Sequence, residues 1–158
     1  MTSILWCLRQ KNGLELGEPS LDVSRSYLAM ADESCIALNA AKQSRIWSAT
    51  ISYYIFYYAL YALMLRLGVK CEIHTCSLLF MKAYLQPFYT SDDVVAIEKA
   101  FQARIDAQYY SDRSVSEQSL DEVKNSSIAF LTKTKGLVES LSIEKTQEIR
   151  TLLAEKLE

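Results

Sequence analysis

Apolar residues recur along most of this chain at alternating intervals of three and four, the spacing that lays them along one side of an α-helix. The densest run is Arg45 to Gly68, RIWSATISYYIFYYALYALMLRLG, in which the twenty residues between Arg45 and Arg66 include only Ser48, Thr50 and Ser52 outside the apolar and aromatic types. A helix that is apolar on every side is either a membrane span or the centre of a helical core, and this run is long enough for both. Five tyrosines, Tyr53, Tyr54, Tyr57, Tyr58 and Tyr61, favour the core. They sit mid-run, where a bilayer gives their hydroxyls no partner, whereas spanning helices keep Tyr near the interfaces. The pattern therefore predicts a central helix in a bundle, with no membrane, ending at Gly68 in the left-handed terminal conformation that costs Gly little.

The neighbouring segments read as the walls around it. Residues 1–19, with Trp6 and Leu8 among Gly13 and Gly17, predict an irregular N-terminal arm. Ser20 caps a helix reaching about Gln43, with Asp22 in its first turn and a seam of Leu21, Ser24, Leu28, Ala31, Cys35 and Leu38. Val69 to His74 must reverse the chain. Thr75 then opens a shorter helix with Cys76, Leu79, Phe80, Ala83 and Tyr84 on one face, stopped by Pro87. Ser91 before Asp92 and Asp93 starts the next, whose stripe of Val94, Ile97, Phe101, Arg104 and Gln108 passes from apolar to polar. Ser114 and Glu117 read as a capping box for a helix carrying Leu120, Val123, Ser127, Phe130, Thr134, Leu137 and Leu141. Residues 142–158 form a C-terminal amphipathic helix with Ile149, Leu152, Leu153 and Leu157. The expectation is one all-α domain over residues 1–158, an antiparallel up-and-down bundle of four or five main helices.

Composition supports few, long helices: half of the 158 residues are apolar, with only 4 Gly and 2 Pro to serve turns. Seventeen basic against nineteen acidic residues leave a net charge of -2, so no global positive field holds nucleic acid and any RNA contact needs a local patch. The opening MTSILWCLRQKNG lacks a basic n-region and a sustained apolar stretch, so no signal peptide is read and the expected location is cytoplasmic. Four cysteines there are expected to be reduced.

Candidate chemistry is sparse. Cys71, His74 and Cys76, with Cys7 as a fourth, bring metal-ligating types together, but C-x2-H-x-C matches no usual zinc spacing, so no metal site is expected. Neither a phosphate-binding glycine loop nor a nucleophile elbow occurs, and no cofactor is implied. His74, the only histidine, is the one side chain that titrates near neutrality without help; it reads as either a hydrogen-bonded structural residue or a functional one. The remaining constellation is Arg104, Asp106, Gln108, Tyr109 and Tyr110, where Arg104 either pairs with Asp106 or a neighbouring helix, or binds phosphate.

Trp47, the run SYYIFYYALYALMLRLG, His74 beyond it, and ARIDAQYYSD with Arg104 and Tyr109-Tyr110 together resemble the HEPN domain family of prokaryotic helical proteins, over about Leu21 to Leu141. The resemblance implies an HEPN-type bundle pairing as a homodimer. HEPN ribonucleases carry an Arg, four to six intervening residues and a His, brought together with a second protomer's copy in a cleft for metal-independent cleavage. Here Arg104 is in place, but Tyr109 and Tyr110 stand where the His belongs, and a phenol with a pKa near ~10 is a poor proton carrier at neutral pH. What the resemblance then implies is a non-catalytic nucleotide- or RNA-binding or regulatory partner of a minimal nucleotidyltransferase, of the kind found in toxin-antitoxin pairs. Its contacts would be Arg104, Asp106, Tyr109, Tyr110 and His74, with the tyrosines also candidate acceptors of a nucleotidyl group. A ribonuclease toxin and a purely structural interaction module are the alternatives.

Overall fold

In the computed structural model, which describes residues 3–156, the chain forms α1 (Ile4–Arg9), β1 (Glu15–Leu16), α2 (Leu21–Ala40), α3 (Arg45–Arg66), β2 (Val69–Lys70), α4 (His74–Tyr84), α5 (Ser91–Tyr109), α6 (Glu117–Ser140) and α7 (Ile143–Ala154). Helices dominate, as the periodicity predicts. The expected Leu157 of the last helix lies outside the described residues.

α3 is the axis of the fold. It is long and apolar enough to cross a membrane, yet 78% of its most apolar window is buried by the rest of the chain. Tyr53, Phe56, Leu60, Leu63 and Met64 are fully buried at the centre of one continuous core, against which α2, α5 and α6 pack. α2 runs antiparallel to α3: the Ser24 hydroxyl donates to the Ala62 carbonyl at one end, and Ser48 donates to Ala41 at the other. The seam read from the sequence of α2 is the buried one at Ser24, Leu28, Ala31 and Leu38, and α6 buries Val123, Ser127, Phe130 and Thr134.

The α3 exit is held by chemistry that local patterning could not show. Gly68 has φ 73, the left-handed conformation expected of it. The Arg150 guanidinium of α7 reaches across and donates to the carbonyls of Gly17, Leu67 and Gly68 at 2.8, 3.0 and 3.1 Å. Arg66 does the same for the end of α6, donating to Val138 and Leu141 carbonyls. Arg66 and, through Leu67, Arg150 thus meet carbonyls at the C-terminal ends of α6 and α3, the negative ends of the helix dipoles.

Several local expectations are corrected. The N-terminal arm is not irregular: Ser3 caps α1, and β1 pairs antiparallel with β2, Glu15 opposite Lys70 and Leu16 opposite Val69. The reversal after Gly68 is therefore half of a small sheet. α2 ends at Ala40, short of Gln43. α4 begins at His74 with Ile73 as its cap, not at Thr75, and its buried face is Cys76, Ser77, Leu78, Phe80 and Met81, while Ala83 is exposed. Thr90 rather than Ser91 caps α5, in a reciprocal box with Asp93. Ser116 caps α6, so Ser114 and Glu117 form no box. In the last two cases two adjacent residues could cap, and the fold selects one by fixing where the preceding turn delivers the chain. Cys7 and Cys76 are not free thiols but joined in a disulfide, leaving Cys35 and Cys71 reduced. The packing of α1 on α4 brings together sulfurs 69 residues apart in the chain.

Candidate functional site

Tyr53, Tyr54 and Tyr57 occupy adjacent positions on one side of α3, because residues three and four apart share a helical face. His74, the first residue of α4, is laid flat against Tyr57, with ring centroids 4.0 Å apart and planes 2° from parallel. Its Nδ1 is 2.6 Å from the Tyr53 hydroxyl. From α5, Arg104 places its guanidinium 5.3 Å from the Tyr53 ring and 5.2 Å from the Tyr54 ring, and its Nε donates to the Gln108 amide oxygen at 3.1 Å. Phe101, one turn earlier, closes the back of the group with its ring 5.2 Å from that of Tyr53. The only histidine and an arginine from another helix thus converge on one pair of phenol rings, Tyr53 fully buried and Tyr54 half-exposed at the edge of the core.

The electrostatics fix the protonation of this group. Burial raises the Tyr53 phenol well above its ordinary value, so it keeps its proton. The Tyr53 hydroxyl and His74 Nδ1 share one hydrogen bond, in which the phenol donates when the neutral imidazole carries its proton on Nε2. Burial first, and then the Arg104 charge, lower the His74 pKa from its usual 6.5. Protonating His74 would turn Nδ1 into a donor and reverse the bond, the Tyr53 hydroxyl oxygen then accepting. At neutral pH the cluster therefore offers an Nε2–H, the free end of a guanidinium and the half-exposed face of Tyr54, a set of donors beside a flat apolar surface. Such a set suits an anion attached to a ring.

The other residues singled out in the sequence lie apart from this cluster. Asp106 is two positions, over half a turn, round α5 from Arg104. Its Oδ1 accepts from Arg113 at 3.0 Å and from Gln102 at 2.9 Å, and the hydrogen bond from Arg113 is the main cause that lowers its pKa. An Arg104–Asp106 ion pair is thus replaced by Arg104–Gln108 and Asp106–Arg113. Tyr110 lies under Arg113, 3.7 Å from guanidinium carbon to ring centroid, and Tyr109 is 68% exposed. The rings over which Arg104 rests are Tyr53 and Tyr54. Gln108 belongs to the constellation read from the sequence, whereas Tyr53, Tyr54 and Tyr57 are site residues that the sequence reading did not assign to the site. Their signal was the need of buried phenols for hydroxyl partners, which counted against a membrane but also pointed to a polar group against α3.

Among the described residues, no three His, Cys, Asp or Glu side chains meet as metal ligands; Cys76 is bonded to Cys7, and His74 Nδ1 to Tyr53. The fold and site define a helical protein with a cation-aromatic cluster at one edge of its core. Comparison with protein-family models, curated proteins and solved structures finds no match for this chain.

Proposed function

We propose that this is an HEPN-type helical module that binds a nucleotide or an RNA end without cleaving it and serves as the regulatory partner of a minimal nucleotidyltransferase, in the manner of a cytoplasmic toxin-antitoxin pair. The observation that carries the reading is the convergence of His74 and Arg104 on Tyr53 and Tyr54. Phosphate oxygens meet the Arg104 fork and the His74 Nε2–H, and a base lies on the half-exposed Tyr54. In the tautomer with its proton on Nε2, His74 donates to a phosphate oxygen rather than acting as a general base. Tyr109, exposed at the end of α5, is the tyrosine best presented to a partner enzyme as a nucleotidyl acceptor.

The same module pairs as a homodimer in this reading. Trp47, Ile51, Tyr54 and Tyr58 follow each other along α3 at helical spacing and remain exposed or half-exposed, an apolar stripe for a symmetric partner to cover.

Binding of nucleoside monophosphates and a short 5′-phosphorylated oligoribonucleotide, followed by calorimetry, tests the reading. Arg104→Ala is expected to weaken binding by about tenfold to a hundredfold, the worth of one charge-assisted contact, with unchanged circular dichroism. No binding by the wild type, or equal binding by the variant, refutes it. A second reading, a metal-independent ribonuclease, gains from the same geometry, because His74 stands in space beside Arg104 although no His follows it in sequence. RNA cleavage in chelator that His74→Ala abolishes would establish that reading instead.

A further inference from the structure

Cys7 and Cys76 are both fully buried and joined to each other, the one covalent link between the N-terminal arm and the helix that carries His74. α1 has six residues, far below the length at which an isolated helix is stable, and turns Ile4, Cys7 and Leu8 inward while Leu5 and Trp6 stay exposed. Among the helices it packs chiefly on α4. Three residues beyond its end Asn12 is left-handed with φ 61, its carbonyl accepting from Glu72 N–H, and from Glu15 the arm is fixed by the β1–β2 pair. α1 is thus a short flap held by the disulfide, by Ile4 and Leu8 on the core, and by the backbone bond from Leu14 N–H to the Cys7 carbonyl.

The other end of that bond lies in the first turn of α4. Cys76 is two residues from His74, and the α4 cap, Ile73, contributes no side-chain hydrogen bond. The position of His74 is therefore set from two directions: by Tyr53 and Tyr57 on α3, and by Cys7 through Cys76. The remaining cysteines differ in kind. Cys35 is solitary and Cys71 donates its thiol to the Ile73 carbonyl; burial raises both pKa values and keeps them as thiols.

We propose that Cys7–Cys76 is a reversible thiol-disulfide site, opened by a dithiol reductant and closed by a low-molecular-weight disulfide, which sets the seat of His74 beside Arg104. This goes beyond the binding reading and does not rest on it. In the opening reaction a thiolate of the reductant attacks one sulfur, exposed as α1 lifts. The S–S bond breaks, and the other cysteine leaves as a thiolate and takes a proton. The second thiol of the reductant then closes on the mixed disulfide, forms the reductant's own disulfide and releases the first cysteine. Two electrons and two protons pass to the protein. Closing reverses these steps, with the small disulfide reduced to two thiols. In the reduced form α1 loses its covalent seat and the first turn of α4 loosens.

The full-length protein treated with oxidised glutathione, then denatured and alkylated, is expected to show two reactive thiols, Cys35 and Cys71, and four after dithiothreitol. Hydrogen exchange in α1 and the first turn of α4 is expected to rise about tenfold on reduction, as for a locally opened segment. The His74 imidazole resonances should shift, with far-ultraviolet circular dichroism unchanged. Cys7→Ser should reproduce the reduced state without reductant; if that variant fails to fold, reduction of the wild type supplies the same comparison. Four reactive thiols after oxidised glutathione, or a bond that opens without altering α1 or His74, overturns the proposal. None of these readouts uses a nucleotide, so they stand whether or not the binding reading does.

Discussion

Arg150 and Arg104 are both half-buried arginines, but they meet different surroundings and their removal should be felt differently. Arg150 donates to three backbone carbonyls, Gly17, Leu67 and Gly68. Truncation takes the charged donor from Gly17 O and Leu67 O, while Gly68 O keeps its bond from Gly17 N–H, so Arg150→Ala should cost about 1.5–3 kcal/mol in denaturant unfolding and leave ligand binding by the folded fraction unaltered. Gly68 belongs to the same knot. A Cβ there would lie 2.3 Å from the Arg150 guanidinium and 2.7 Å from both Gly17 O and Pro19 N, at a φ of 73 that L-residues disfavour. Gly68→Ala should accordingly destabilise by at least about 1–2 kcal/mol, the cost of the backbone conformation alone. His74 makes a prediction about pH. Its folded pKa is depressed below the usual 6.5, so the unfolded chain binds the proton first as pH falls. Stability should hold above about pH 6.5 and decline as pH drops from there toward the folded value. Unfolding midpoints at pH 7.5 and 5.5 check this, and His74→Asn should lack the decline over that interval.

At the scale of elements, the caps are where neighbouring residues compete and the fold chooses. Ser116 Oγ accepts from Ser119 N, whereas Ser114 makes no such bond. Ser116→Ala should thus lose about 1 kcal/mol and Ser114→Ala almost nothing, a contrast that thermal melts of the two variants would resolve. The α5 cap is stronger, because Thr90 and Asp93 exchange hydrogen bonds and Lys133 from α6 lies 2.5 Å from the Asp93 carboxylate. Burial alone would raise the Asp93 pKa, but Lys133 and Thr90 outweigh it and the net shift is downward. This carboxylate therefore joins α5 to α6 as well as capping one of them, and its contribution is lost in acid as pH falls through the folded pKa.

At the scale of the whole molecule, α3 has two tasks. It fills the core with Tyr53, Phe56, Leu60 and Met64, and it leaves a flank of Trp47, Ile51, Tyr54 and Tyr58 open, with Trp47 57% exposed. In the homodimer reading that flank is the joint, and Trp47→Glu should convert the dimer to monomer by light scattering without loss of helix. A wild-type monomer at tens of micromolar removes the dimer from the reading. Because Tyr54 belongs both to this stripe and to the Arg104 cluster, a partner seated there would close one side of the binding site.

The helical architecture and its inner faces were legible in the chain, since one-sided burial imposes a three-four spacing that survives without knowledge of any neighbour. α3, the seams of α2 and α6, and the terminal glycine at Gly68 all follow from that local rule. His74 and Arg104 also stood out in the chain, as the only histidine and as the point where the α5 stripe turns polar. What only tertiary structure decided is which distant groups meet. The pairing of β1 with β2, the Cys7–Cys76 bond, the grip of Arg150 on the end of α3 and the meeting of His74 with Arg104 over Tyr53 and Tyr54 join residues from separate elements. The tyrosines at positions 109 and 110 drew attention through proximity in sequence, yet the helix turns Asp106 away from Arg104 and gives Tyr110 to Arg113. Helical periodicity states which residues share a face; it does not state which face of another helix will be opposite, because that depends on how all the apolar faces are buried at once.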